Sequence, residues 1–213
     1  MVELTESAGS KEKAALFLSS IKKSTAELHS LLESNQLLSA IISPGVTLRH
    51  YFFYLLLMKK IEEVYEKHIV TLLATLFPGG VQRKASLLLA EDIQTIGYIL
   101  PQSLVIENYT LPIKKMPLAY AFGFMYVMEG SKLGGKVISK HIQQNLGFSE
   151  SSGAKFVSNY GVNTTALWRV FLSKFSEYVV ENDCEEEAIR GANGAFKSIY
   201  DYFESNLFLI KEI

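Results

Sequence analysis

The chain has 213 residues, a formal net charge of −1, 48% hydrophobic residues and 20% charged residues. These values indicate one globular domain, and the balanced charge argues against a nucleic-acid-binding protein. The single cysteine, Cys184, excludes an internal disulfide and suits the reducing cytoplasm. Residues 1–13 lack the apolar stretch of a signal peptide, and the longest apolar run, Tyr51–Met58, is too short to cross a membrane.

Apolar residues at helical spacing run along most of the chain, and no convincing strand pattern of period two occurs. Helices are predicted over residues 14–34, 48–77, 84–97, 117–146, 163–180 and 185–208. Residues 98–117 are predicted to form an irregular connection, and residues 149–161 a short helix or loop. All five prolines fall between these helices, where prolines end helices. We therefore predict an all-α single domain over residues 13–213, preceded by a flexible amino terminus over residues 1–12.

Three glycines interrupt the predicted helix over residues 117–146. They are Gly130, Gly134 and Gly135, and each glycine inside a helix costs roughly 1 kcal/mol relative to alanine. Gly130 and Gly134 are four residues apart and therefore share a face. The cluster predicts a bend and a groove without side chains, where a flat ligand touches the backbone. Close helix–helix packing is the alternative reading, because small residues permit that too.

Among the four histidines, His29 is the strongest candidate ligand. Glu33 follows it by one helical turn, and Lys22 lies on the same side of the first helix. A lone histidine on an apolar face is more often a packed core residue than a ligand. A carboxylate one turn away, however, can accept a hydrogen bond from one imidazole nitrogen and leave the other free to bind a metal.

Other common sites lack their sequence patterns. No Glu-x-x-His pair of a di-iron bundle occurs, and neither zinc-binding spacing nor a phosphate-binding loop following a strand is present. Cys184 lies in an acidic stretch that disfavours a reactive thiolate.

Two segments together resemble the heme oxygenase family. They are TAELHSLLE at Thr25–Glu33 and YVMEGSKLGG at Tyr126–Gly135, and the form is similar to the bacterial, phytochrome-associated branch. Their order, their separation by about a hundred residues and the length of the chain agree with that family. The resemblance implies a helical bundle in which heme b lies between the first helix and a distal helix bent at its glycines.

The resemblance also implies roles for single residues. His29 would be the proximal axial ligand of the heme iron, with Glu33 tuning it. Gly130, Gly134 and Gly135 would let the distal backbone approach the heme, and Gly130, Gly134 and the Ser131 hydroxyl would form the catalytic face toward O2. Three further heme contacts are implied: Lys22 and Tyr126 near the propionates, and Phe196 as a packing aromatic.

One position departs from part of the family. Animal members carry an aspartate directly after the first distal glycine, whereas this chain has Ser131, as bacterial relatives do. The departure bears on which group organises the distal water.

The activity that the resemblance implies is oxidative cleavage of heme to biliverdin, CO and Fe²⁺. Heme would be both substrate and cofactor, and electrons would come from a separate ferredoxin or reductase, since no flavin or nicotinamide motif is visible. A phytochrome that accepts the bilin is a further expected partner, whereas neither nucleic acid nor membrane is. The alternative is a protein on the same fold that binds heme or a bilin without cleaving it.

Overall fold

The computed structural model describes residues 2–76, 85–100, 104–112, 115–158 and 164–211. The described chain is helical. The helices are α1 (Val2–Glu33), α2 (Gln36–Ile41), α3 (Leu48–Tyr65), α4 (Thr71–Leu73), α5 (Ala85–Ile96), α6 (Leu118–Ser131), α7 (Gly135–Leu146), α8 (Lys155–Ser158), α9 (Thr164–Glu181), α10 (Glu185–Ser205) and α11 (Phe208–Lys211). Within the described ranges, extended pairing is limited to isolated bridges from Ser149 to Ser152 and Gly153.

The predicted helices are present, with different boundaries at several points. Helix α1 begins at Val2, well before the predicted start at residue 14. A helical segment can still be mobile, so the flexibility of residues 1–12 stays a prediction. The predicted helix over residues 48–77 is interrupted by a π-turn at Glu66–Val70. The predicted end of this helix at residue 77 lies outside the described residues, and so does the end of the predicted short helix or loop over residues 149–161.

Helix α2 was missed because it is short and its start signal is an asparagine within a polar stretch. The Asn35 side chain accepts hydrogen bonds from the backbone N–H groups of Leu37 (3.0 Å) and Leu38 (3.3 Å). An asparagine in this position satisfies donors that the first helical turn leaves unpaired. Leu37 is fully buried, so tertiary packing stabilises a segment too short to be a helix alone.

Helix α10 lies at the centre of the bundle. It packs against α1, α6 and α9, and α9 also contacts α1 and α6. Helix α6 is apolar on all sides, which explains why nine of its fourteen residues are buried. Helices α9 and α10 therefore form the walls that connect the helix carrying His29 to the helix carrying Gly130.

The core between these helices is rich in aromatic rings. Phe17 of α1 meets Phe175 of α9 edge-on at 5.0 Å between ring centroids, and Phe122 of α6 stacks on Phe175 at 5.8 Å. Burying a Phe side chain contributes about 1.5–3 kcal/mol, so these contacts fix α9 between α1 and α6.

None of the helices in the described ranges combines the length and apolarity that crossing a membrane requires.

Candidate functional site

His29 lies near the carboxyl end of α1 with 55% of its side chain exposed. Its Nδ1 atom is 3.4 Å from Oε2 of Glu33, one turn later. Its ring meets the ring of Phe196 edge-on, with 5.4 Å between centroids and 72° between planes. Among the described residues no hydrogen bond or ion pair engages Nε2. The imidazole is thus oriented through one nitrogen and open at the other, which is how proteins prepare a histidine to bind a metal.

Phe196 belongs to α10 and is 6% exposed, so it forms the floor beneath the imidazole. Phe196 was predicted to pack its ring against the heme. The structure places it against His29 itself, a contact between residues 167 positions apart that no local pattern encodes.

A short 3₁₀ turn interrupts the helix where the bend is predicted. Helix α6 ends at Ser131, the 3₁₀ turn covers Lys132–Gly134, and α7 begins at Gly135. A 3₁₀ stretch in the middle of a helix often marks a functional hinge. The turn coincides with the glycine cluster, so the helical hydrogen-bond pattern changes where the side chains are smallest.

The space around Gly134 favours the groove over the packing seam. A Cβ atom built on Gly134 meets no heavy atom within 4 Å, and the φ of −75° suits any residue. No described neighbour therefore requires a glycine there. At Gly130 the added atom would meet the Trp168 ring at 3.4 Å, an ordinary contact. Gly135 is buried.

The glycines that do serve helix packing are different ones. A Cβ on Gly123 of α6 would lie 1.9 Å from the carbonyl oxygen of Ala188, and one on Gly191 of α10 would lie 2.1 Å from that of Tyr120. No side chain fits in either place, because the two backbones touch directly. Close helix–helix packing therefore explains Gly123 and Gly191, which lie where α6 and α10 cross.

The Ser131 hydroxyl donates to the carbonyl oxygen of Met128 at 2.8 Å. Its single proton is committed there, so in this arrangement the oxygen offers lone pairs to a ligand. Donation toward O2 requires rotation of the hydroxyl and stays a prediction.

Tyr126 and Lys22 are the two groups expected near the propionates. The half-buried Tyr126 ring lies 5.3 Å from that of Trp168 and 6.1 Å from that of Phe175, and burial raises the pKa of its hydroxyl. The hydroxyl has no hydrogen-bond partner in the part of the chain that the structure describes, and neither does the exposed Lys22 ammonium. The Tyr126 hydroxyl, as a neutral donor, and the Lys22 ammonium, as a cation, are therefore both available to bind propionate carboxylates.

A buried polar cluster beneath the bend was missed by sequence reasoning. The Lys132 ammonium pairs with Oε1 of Glu129, to which the Tyr65 hydroxyl donates at 3.1 Å. Glu62 of α3 is 2% exposed. The pKa of Glu62 is raised to about 8, mainly because burial disfavours the charged carboxylate. The positive charge of Lys132 lowers this pKa, whereas the negative charges of Glu129 and Glu66 raise it further. The available signal was a glutamate and a lysine three residues apart on an otherwise apolar helix.

A surface cavity of ≈ 400 Å³ lies elsewhere, between α7 and α8. It is lined by Lys136, Ser139, Lys140, Gln143, Ser149, Glu150, Val157 and Ser158. None of the predicted site residues lines it.

The chemistry of the donor set fits a metalloporphyrin. Among the described residues no three His, Cys, Asp or Glu side chains gather as metal ligands. Heme iron already has four porphyrin nitrogens and requires a single axial histidine, which His29 can supply. Gly134 is exposed, and an added side chain there would extend into open space.

Comparisons with known proteins match the chain to one family and one fold. The family model for heme oxygenase matches residues 15–205. The heme oxygenase PigA of Pseudomonas aeruginosa is 27% identical over 132 residues, which cover 62% of this chain and 64% of the relative. The aligned region thus spans just under two thirds of that curated relative. The NO- and CO-bound heme oxygenase of Neisseria meningitidis has a similar fold, with a TM-score of 0.67 at 23% identity over 88% of this chain and 92% of that one.

Proposed function

The chain belongs to the heme oxygenase family, and from that premise we propose that it cleaves heme oxidatively to biliverdin, CO and Fe²⁺ with O2 and external electrons. The observation that carries the proposal is the imidazole of His29. It is half exposed, directed by Glu33, and without a partner at Nε2 among the described residues. A carboxylate beside one imidazole nitrogen and an open second nitrogen form the arrangement that metal-binding histidines show.

His29 would hold the iron through Nε2. The Glu33 carboxylate, 3.4 Å from Nδ1 and 70% exposed, would orient the ring and favour the tautomer that leaves Nε2 open. Phe196 limits the tilt of the imidazole from below. These three side chains hold the ligand in one orientation before heme arrives.

The backbone at Gly134, where an added Cβ would meet no heavy atom within 4 Å, would give the porphyrin plane room. Heme, when bound, supplies the iron at which O2 is activated. Backbone groups near Gly130, the Ser131 oxygen and ordered water would complete the polar surroundings of O2. The Trp168 ring lies beside Gly130, 3.4 Å from the position of an added Cβ.

The propionates are proposed to meet Lys22 and Tyr126. The ammonium supplies charge and the hydroxyl a neutral donor, and both are free to bind in the described structure. Electrostatic contacts of this kind set the rotation of the heme in its plane, and with it the meso carbon that is cleaved.

Electrons are proposed to come from a ferredoxin or a reductase, and a phytochrome that accepts the bilin is the proposed consumer of the product. The one free cysteine, Cys184, is compatible with a cytoplasmic location. The proposal includes that location.

The test is a hemin titration of the purified protein, followed by aerobic incubation with a reductant and chromatography of the products. Loss of the Soret band with growth of a biliverdin band is the expected result. A stable complex that releases no bilin would instead identify a carrier of heme. Failure to bind hemin would contradict both functions.

A further inference from the structure

Lys132 is a buried cation at the bend between α6 and α7. Its side chain is 7% exposed, although it begins the 3₁₀ turn. The residues around it in sequence, Ser131, Leu133 and Gly134, are all exposed. The turn therefore points one charged side chain inward and three small or apolar groups outward.

The inward position of Lys132 is set by its partners. Oε1 of Glu129 accepts from both Lys132 and the Tyr65 hydroxyl. Residues three positions apart are neighbours on a helix, so Lys132, the first residue of the 3₁₀ turn, lies beside Glu129 in the last turn of α6. The pair joins the turn to the end of α6, and Tyr65 joins both to α3.

Charge balance within the cluster depends on Glu62. Its raised pKa of about 8 means that it is mostly protonated at neutral pH. The ion pair of Lys132 with Glu129 then lies beside a largely neutral acid.

Stability alone does not account for this pair. Desolvating two charges offsets much of their attraction, and apolar replacements of buried ion pairs are often neutral or stabilising. What such pairs do provide is geometric selection, because a buried charge tolerates few alternative positions. Here the geometry selected is the direction in which the glycine turn faces.

We propose that Lys132 is a positioning residue, whose buried pair with Glu129 fixes the 3₁₀ turn so that Ser131 and Gly134 face the bound heme. The inference rests on the proposed function only in naming heme as the group that the turn faces. Lys132 itself does not touch the substrate and acts through the backbone of the turn.

The test uses the double variant Lys132→Met/Glu129→Gln. The single Lys132→Met change would leave a buried carboxylate unpaired and could unfold the protein, whereas the double variant removes both charges. Its control is Lys197→Met/Asp201→Asn, which removes an exposed pair on α10. Lys132→Arg retains the charge and is the conservative rescue.

The first measurement is amide hydrogen exchange of the heme-free protein. We expect exchange at residues 131–135 to accelerate about tenfold in the double variant and to stay unchanged in the control and in Lys132→Arg. The second is the isomer ratio of the bilin, which we expect to broaden in the double variant alone.

Unchanged exchange in the double variant overturns the positioning role, and so does faster exchange with an unaltered isomer ratio and turnover rate. If the wild-type protein binds hemin but forms no bilin, the proposed function fails. The hydrogen exchange of residues 131–135 then shows by itself whether the Lys132–Glu129 pair fixes the 3₁₀ turn.

Discussion

The edge of the Phe196 ring lies against the imidazole of His29 with centroids 5.4 Å apart. One residue belongs to α1 and the other to α10, so the orientation of the candidate ligand depends on the packing of these helices. Edge-to-face contact is worth about 0.5–1.5 kcal/mol beyond burial, enough to favour one ring orientation over its alternatives.

Replacing His29 with alanine is expected to abolish the spectrum of an axial histidine and the turnover of heme. The fold should be retained, since substitutions of exposed side chains usually change stability by no more than about 0.5 kcal/mol. Absorption spectra of the ferric complex and thermal unfolding measure the two effects. His68→Ala, at an exposed position of the π-turn, is the matched control. An unchanged spectrum in His29→Ala would refute the assignment.

Gly134→Ala is expected to preserve or raise stability, by up to about 1 kcal/mol, while weakening heme binding or redirecting its cleavage. The added methyl group has open space in the protein but enters the proposed groove. Gly9→Ala in α1 has the same open surroundings and should gain stability without affecting heme. Equal heme affinity and product in Gly134→Ala and the wild type would argue against the groove.

Gly191→Ala should act in the opposite way. Its methyl group would collide with the carbonyl oxygen of Tyr120, so α10 and α6 must separate. We expect the free energy of unfolding to fall by about 3 kcal/mol, the upper end of what overpacking usually costs. Urea denaturation measures this loss. Stability equal to that of wild type would show that the helices can move apart freely.

Glu62 should make stability fall as the pH rises from about 4.5 to about 8. The unfolded chain releases this proton near the lower value, whereas the folded protein retains it until the upper one, so the unfolded state binds fewer protons in between. The slope attributable to one group reaches about 1.4 kcal/mol per pH unit. The groups acting on Glu62 are Lys132, Glu129 and Glu66, with Tyr54 close enough to respond to its charge.

Denaturant unfolding across this pH range, with Glu62→Gln beside the wild type, measures the effect. The variant should lose the slope and be the more stable form at the alkaline end. Glu63→Gln, on the solvent side of α3, should keep the wild-type slope. Parallel curves for Glu62→Gln and the wild type would show that Glu62 titrates normally.

Asp92→Ala is expected to destabilise the protein by about 2–4 kcal/mol. The fully buried carboxylate accepts from the backbone N–H groups of Lys155 (2.9 Å) and Phe156 (2.8 Å), and alanine would leave both donors without it. Equilibrium unfolding in urea measures the loss. Glu91→Ala, one residue earlier and exposed, should have little effect; a similar loss in both variants would contradict the role of Asp92.

The helices and the contact of His29 with Glu33 could be predicted because their signals are local. Apolar residues recur every three to four positions, and Glu33 follows His29 by one turn. The interruption of the helix at the glycines was predicted for the same reason, since three glycines in six residues disfavour a regular helix.

The rest depends on contacts between distant parts of the chain. The sequence around Gly123 gives no sign that the backbone of another helix lies against it, yet an added Cβ there would meet the Ala188 carbonyl oxygen. The burial of Lys132 depends on partners that include Tyr65 on α3, which lies far from it in sequence. Interactions of this kind have no periodicity that a sequence reading can detect.

The direct contact of the α6 and α10 backbones at Gly123 and Gly191 also governs motion. Helices without side chains between them have no soft layer to deform, so α6 and α10 move as one rigid unit. Phe196 lies on α10 as well, so the part of α6 before the 3₁₀ turn and the ring that contacts His29 keep one fixed relative position.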